Sequence, residues 1–443
     1  MKHTLHLLTF LLCSLASNAQ IITTVAGNGG SSLGDGGLAI NASFNGPYGV
    51  AFDSHGNMYV ADGYHGRIRK INTAGIITTI AGTGVEGYNG DGIPATNAQI
   101  YRPVGITIDA ANNIFFCDAF NNRVRKIDTF GIITTVAGNG MTAYNGDNIP
   151  ATAAALYAPH CIALDAAGNM YITDFENHRV RKVNAAGMIS TIAGTGVLGN
   201  DGDNGLAVNA KINGPYGIAL DAAGNIYFAD DWANVVRKID AAGIITTFAG
   251  NDTATVLGDN GPATVAALNH PSGIAIDNHG NFFISNISQQ RIRVVAPNGV
   301  ISTIAGTGTL GFSGDNGPAS AAELGSPCGI TLDASNGSIY LADFNNSRVR
   351  RIGWPLRIEE QNRMSAGLNI YPNPTSGVFT CKITGPTEEP FEVSVIDMVG
   401  RTAGTYRMEA GKPQLMNIAE PGMYLVRATG KAWRAEKTVV VLR

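Results

Sequence analysis

One block of sequence returns six times down this chain, and its opening proline falls at Pro47, Pro103, Pro159, Pro215, Pro271 and Pro327, always 56 residues apart. A chain under that period builds equal units rather than one mixed core. In the first copy, Tyr48 to Asp53 is a short apolar run closed by Asp-Ser-His-Gly-Asn, a turn in which Asp53 accepts backbone hydrogen bonds and Gly56 takes positive φ. This is strand a. Met58 to Ala61 gives strand b, Arg67 to Ile71 strand c and Ile76 to Ala81 strand d. Four short strands with tight turns make an antiparallel meander. A sheet this small cannot bury two apolar faces alone, so the copies must stack.

Four strands per period predict a propeller blade rather than a solenoid coil. The expected fold is all-β: a six-bladed β-propeller over residues 20–356, followed by a small β-sandwich. The Ile-x-Thr-x-Ala-Gly strand begins at Ile21, Ile76, Ile132, Met188, Ile244 and Val300, and it is missing after Ile352. The last unit therefore lacks its own strand d. The N-terminal strand Ile21 to Gly27 is expected to supply it and so pair an otherwise open edge.

Residues 1–19 have a basic start at Lys2, an apolar run and small residues at Ser17 and Ala19, the pattern of a cleavable secretory signal. A lipoprotein signal at Cys13 is opposed by the bulk of Leu12. No later run reaches the ~18 apolar residues of a transmembrane segment. Cys117, Cys161, Cys328 and Cys381 have no CxxC spacing, so neither a disulfide framework nor a zinc knuckle is indicated. Glycine, at 56 of 443 residues, stands well above its usual share of about 7% and sits mostly at repeated turns. The formal net charge of -4 and a charged fraction of only 14% argue against a nucleic-acid partner.

Pro-x-Gly-Ile-Ala-x-Asp-x-x-Gly-Asn-x-Tyr-x-x-Asp followed by Asn-x-x-Arg-Val-Arg resembles the NHL repeat, and the resemblance implies six blades over about three quarters of the chain. Departures are local, with Phe283 and Asn286 in place of Tyr and Asp and Val235 in place of the first strand-c arginine.

In a meander the b-c and d-a connections share one face, and here they are the long ones, so a ligand is expected there. The d-a connections carry Asp35, Asp91, Asp147, Asp203, Asp259 and Asp315 ahead of alanine-rich segments. Asp201 and Asp203 space their oxygens somewhat like a calcium loop. The structural reading is a helix N-terminus, with these side chains accepting backbone N–H groups and Pro94, Pro150, Pro262 or Pro318 in the first turn. A second ring, Asp62, Asp118, Asp174, Asp230 and Asp343 with Asn286, is followed five residues later by Arg67, Arg123, Arg179, Arg291 and Arg348. Repeated salt bridges between them are expected. Val235 would leave Asp230 without a partner, which makes Asp230 and Asp231 the acidic pair to test for calcium or zinc. No cofactor is otherwise indicated.

The residue after each opening proline varies: Tyr48, Val104, His160, Tyr216, Ser272 and Cys328. These six are expected to ring the channel mouth, with Tyr48 opposite Tyr216 and His160 opposite Cys328. Aromatic rings, an imidazole and a hydroxyl suit a glycan or protein ligand. The other reading is a metal-dependent hydrolase or lyase at the same mouth, which needs several convergent ligands where one histidine is readable.

Arg357 to Gly367 is a polar connector. Residues 368–443 alternate like the strands of a β-sandwich. Tyr371-Pro372-Asn373-Pro374-Thr375-Ser376-Gly377, Asp397-Met-Val-Gly-Arg401 and Pro421-Gly-Met-Tyr-Leu-Val426 resemble the type A sorting domain of the type IX secretion system. That resemblance implies the secretion machinery as a partner and a secreted or outer-membrane-surface location.

Overall fold

The computed structural model describes residues 20–353, 367–371, 373, 375–376, 378–384, 391–397, 402–409, 412–420, 422–429 and 434–441. The signal segment, the connector up to residue 366, and Pro372, Pro374 and Gly377 of the tail motif lie outside them. The chain divides into two compact units, Met1–Pro355 and Leu356–Arg443.

The first unit is the propeller. In blade one, strand a is Pro47–Phe52, b Met58–Asp62, c Arg67–Ile71 and d Ile77–Ala81, hydrogen-bonded in that order. The a-b turn forms as its residues require: Asp53 Oδ1 accepts from the N–H groups of His55 and Asn57, and Gly56 sits at φ 79°. Apolar faces are buried between neighbouring blades. Ala51, Tyr59 and Ile68 of blade one pack with Ile106, Phe116 and Ile133 of blade two in one cluster.

The ring closes as expected. Ile21–Ala26 pairs antiparallel with Arg348–Gly353, with Ile22 opposite Ile352 and Thr24 opposite Arg350. Ile22 is fully buried.

Two local features differ from the sequence expectation. The alanine-rich segments form single 3-10 turns such as Ala95–Asn97, and no side chain caps their N-terminal ends. The residues just before them form a further strand in four blades: Ile93–Pro94, for example, pairs with Ile132 and Ile133. That pairing covers the outer edge of strand d, and a proline is tolerated because it lies at the sheet margin. Leu38 and Leu206 replace the proline in blades one and four, and there a single bridge remains, to Ile76 and Ile244.

The second unit is a small β-sandwich. A sheet of Gly367–Tyr371, Val378–Thr384 and Gln414–Asn417 faces a sheet of Phe391–Asp397, Thr402–Met408, Gly422–Thr429 and Arg434–Val441. Phe379, Cys381, Val393 and Val426 fill its core. No helix among the described residues is long and apolar enough to cross a membrane.

Candidate functional site

The two rings of aspartates meet on one set of buried arginines, and these are not the arginines the spacing singled out. Arg69, fully buried on strand c, reaches Asp62 Oδ2 at 3.3 Å with Nη1, and Asp35 Oδ1 at 2.8 Å with Nη2. Arg125, Arg181 and Arg350 repeat that bridge in blades two, three and six. Arg67, expected as the partner of Asp62, instead donates to the carbonyls of His65 and Thr83. Strand alternation puts both arginines of Arg-x-Arg on the same face, and only the second lies beneath the loops. The loop aspartates therefore hold arginine rather than cap a helix.

Asp230 accordingly has a partner, but a distant one: Arg237 Nη1 lies 3.8 Å away and bonds Asn200 Oδ1 at 3.1 Å instead. Asp203 takes Arg237 Nη2 at 2.7 Å. Asp231 lies 3.1 Å from His270 Nδ1, and Asp201 lies 2.8 Å from Lys211 Nζ. Among the described residues no group of three or more His, Cys, Asp or Glu side chains is placed to hold a metal ion.

At the channel mouth Tyr48, Val104, Ser272 and Cys328 are buried, while His160 and Tyr216 are partly so. The ring is tight because a glycine follows in five of the six copies. A Cβ on Gly105 would stand 2.5 Å from the His160 carbonyl, and one on Gly49 would stand 2.5 Å from that of Val104. Where Cys161 replaces the glycine, the Thr173 hydroxyl props the next strand, accepting from Cys161 N–H and donating to the Tyr216 carbonyl at 2.6 Å. The cavity that the ring lines is about 60 Å³. At about 10–15 Å³ per water it holds a few waters and no sugar ring. The Ser272 hydroxyl is engaged with Ser285 Oγ and the Pro327 carbonyl. Burial holds His160 down to about 4, with Arg102 adding to the effect and a hydrogen bond to the Ala158 carbonyl opposing it.

Around this ring, the b-c face carries two aromatic clusters. In one, Phe175 packs 4.2 Å from His160 and 5.0 Å from Trp232, and His160 packs 4.6 Å from Tyr216. In the other, Tyr48 packs 4.7 Å from Phe344, and the Arg102 guanidinium lies over Tyr48, Tyr64 and Phe120 at 5.3, 5.0 and 4.8 Å. Tyr64, Phe120 and Trp232 are the solvent-facing members, 49, 44 and 42% exposed.

The sequence reading passed over Arg102 and these three rings, although a signal existed. The residue before each opening proline also varies, as Gly46, Arg102, Ala158, Gly214, His270 and Ser326, and all six adopt positive φ at the mouth. The second residue after each strand-b aspartate varies as well, and Tyr64, Phe120 and Trp232 occupy that place.

In the tail, Tyr371 ends its strand half-exposed, Asn373 is exposed, and buried Thr375 donates its hydroxyl proton to the Val378 carbonyl.

Comparison with known families extends these observations. The family model described as the Teneurin NHL domain matches residues 15–87, 84–145, 140–201, 198–257 and 253–313, and the NHL repeat model matches residues 324–352. The model described as the Secretion system C-terminal sorting domain matches residues 369–442. Teneurin-1 of Gallus gallus is 30% identical over 245 residues, 48% of this chain and 9% of that protein. Teneurin-4 of Homo sapiens is 29% identical over 254 residues, 50% of this chain and 9% of that protein. The chain thus spans under a tenth of these relatives. Among solved structures, an auxiliary nutrient binding protein from Bacteroides thetaiotaomicron superposes with a TM-score of 0.56 at 16% identity, over 75% of this chain and 76% of that one. A likeness at that identity speaks for the shared fold alone.

Proposed function

The chain belongs to the NHL-repeat propeller family and carries a type IX secretion sorting domain behind its propeller, and from that premise we propose that it is a secreted or surface-held binding protein whose b-c and d-a face engages a glycan or protein ligand. The observation that carries this reading is the set of exposed rings, Tyr64, Phe120 and Trp232, around a mouth whose cavity of about 60 Å³ has no room for a sugar ring. Exposed aromatic side chains on a rigid loop face offer large contact area at low entropic cost. The carboxylates of the same face are engaged by buried arginines and work as scaffold. Tyr48, Val104, His160, Tyr216, Ser272 and Cys328 form the floor on which the ligand rests. The sorting domain delivers that face to the cell exterior.

The test is an array of glycans and surface proteins probed with the mature chain and with a variant combining Tyr64→Ala, Phe120→Ala and Trp232→Ala. The variant should keep its melting curve and lose binding by about tenfold or more. Undiminished binding by the variant would overturn the assignment of this face.

A further inference from the structure

We propose that the sector around Arg102 is a subsite for a carboxylated sugar, a hexuronate unit of an acidic saccharide; this rests on the binding reading above and sharpens it. A guanidinium has five N–H donors. Arg102 directs one from Nε and one from Nη2 to the Tyr48 hydroxyl, at 3.0 Å for Nε. Among the described residues its other donors, both on Nη1 and one on Nη2, meet no acceptor, and no carboxylate pairs with it. The arginines of strand c are held differently. Arg67 and Arg123 donate to backbone carbonyls, and Arg69 and Arg125 bridge aspartates. Arg102 thus presents two parallel N–H directions, the fork that takes a carboxylate bidentately.

The surroundings point to a sugar carboxylate. Tyr64 and Phe120 flank the guanidinium and are each about half exposed, and Tyr101 braces Phe120 edge-on at 5.0 Å. A pyranose stacks its C–H face on such a ring while its carboxylate reaches the fork beside it. Tyr48 packs on Phe344 and fixes the head of Arg102 through its hydroxyl. Burial raises the Tyr48 pKa well above that of a free phenol, so the hydroxyl stays neutral while it accepts from Arg102. In neighbouring blade three His160 is neutral above pH of about 4, and in blade four Asp231 is bound to His270, so neither supplies a free charge that competes with Arg102.

The experiment is calorimetric titration of the mature full chain with trigalacturonate, its methyl ester, maltotriose and triglutamate, at about 0.05 M and about 0.5 M salt. Trigalacturonate should bind at least about tenfold more tightly than its ester, and this preference should shrink in high salt. Arg102→Gln should abolish it. Phe120→Ala, which leaves the Arg102–Tyr48 hydrogen bonds in place, should keep the parent melting curve and weaken trigalacturonate by a similar factor, so a misfolded Arg102→Gln would not leave the idea without a test. Equal binding of acid and ester, unchanged binding by Arg102→Gln, or no binding of trigalacturonate would overturn the subsite. Triglutamate bound as tightly as trigalacturonate would overturn the sugar assignment. Trigalacturonate, its ester and maltotriose bound alike by the parent chain and by Arg102→Gln, but all lost in the triple aromatic variant, would sink this inference and leave the broader face reading standing.

Discussion

Arg237 Nη1 stands 3.8 Å from Asp230 Oδ2, where the same pair closes to 3.3 Å at Arg69–Asp62, Arg125–Asp118, Arg181–Asp174 and Arg350–Asp343. The cause lies three residues after the aspartate. His65, Asn121, Asn177 and Asn346 each bond the carboxylate from that place, but blade four has Ala233 there. Asp230 Oδ2 is left buried without a hydrogen-bond partner.

Burial pushes the Asp230 carboxyl up to about 7, against the pull of the Asn213 N–H and Arg237 and with Asp231 adding to the rise. An unfolded aspartate titrates near ~3.9. Between those values the folded chain holds a proton that the unfolded chain has lost, so this group's stabilising effect is full below pH of about 4 and falls away as pH rises to about 7. Asp230→Asn removes that slope. Blade five already places an amide here, Asn286, which donates to Gln289 Oε1 at 2.8 Å. Melting curves from pH 5 to pH 8 should show the variant gaining on the parent as pH rises. A gap that stays constant, or moves the other way, would refute the unpaired-carboxylate account.

The bridging arginines give a second prediction. Arg125 is fully buried and reaches Asp91 at 3.0 Å, Asp118 at 3.3 Å and the Gly90 carbonyl at 3.0 Å. Lysine offers one point charge and cannot span two carboxylates on opposite sides. Arg125→Lys is expected to cost about 3 kcal/mol, the scale for breaking a buried pair. Arg123 only donates to the Asn121 and Asn139 carbonyls and stacks 3.8 Å over Tyr88. Val235 fills the equivalent place in blade four, so Arg123→Val should cost about 1 kcal/mol or less. Denaturant titration of the two variants decides it, and a reversed order would return the structural role to the first arginine.

That reversal of roles shows where the sequence stopped being readable. Period, strand count and the displaced strand d follow from proline, glycine and apolar spacing, which repeat because every blade solves the same packing problem. Choosing between Arg67 and Arg69 needs depth below the loops, and alternation gives only the face. Ile93–Pro94 is too short to show any period, so the covered edge was invisible. Arg102 and Trp232 sit where the copies differ, which is readable. Their place at the mouth is less so: Arg102 takes a left-handed conformation, at φ 58°, that an arginine does not advertise.

The tight mouth predicts a strong penalty for a single methyl group. On Gly105 it would approach the His160 carbonyl at 2.5 Å and Cys161 Cα at 2.7 Å, both backbone atoms that cannot swing aside. Gly105→Ala is expected to cost about 2 kcal/mol, typical of overpacking. Cys161→Gly, at the copy where Thr173 already props the strands, should cost less. Equal melting of Gly105→Ala and the parent would mean that the inner strands are free to spread.

Ring closure is the relationship with the largest sequence separation, and it makes the last blade depend on the first strand of the propeller. Ile22 fills a fully buried place in the cluster of Leu324, Leu341 and Ile352, as Ile133 does within blade two. If closure is integral, Ile22→Ala and Ile133→Ala should each cost about 3 kcal/mol, the usual scale for emptying a buried isoleucine site. Deleting Ile21 to Gly27 removes the strand paired with Arg348–Gly353 and leaves that edge open, so the melting temperature should fall by several degrees or more. A synthetic peptide of residues 20–27 added to the deletion variant should restore part of the loss by adding back the missing strand. An unchanged melting curve after deletion, or a harmless Ile22→Ala beside a costly Ile133→Ala, would show that the N-terminal strand decorates a ring already closed without it.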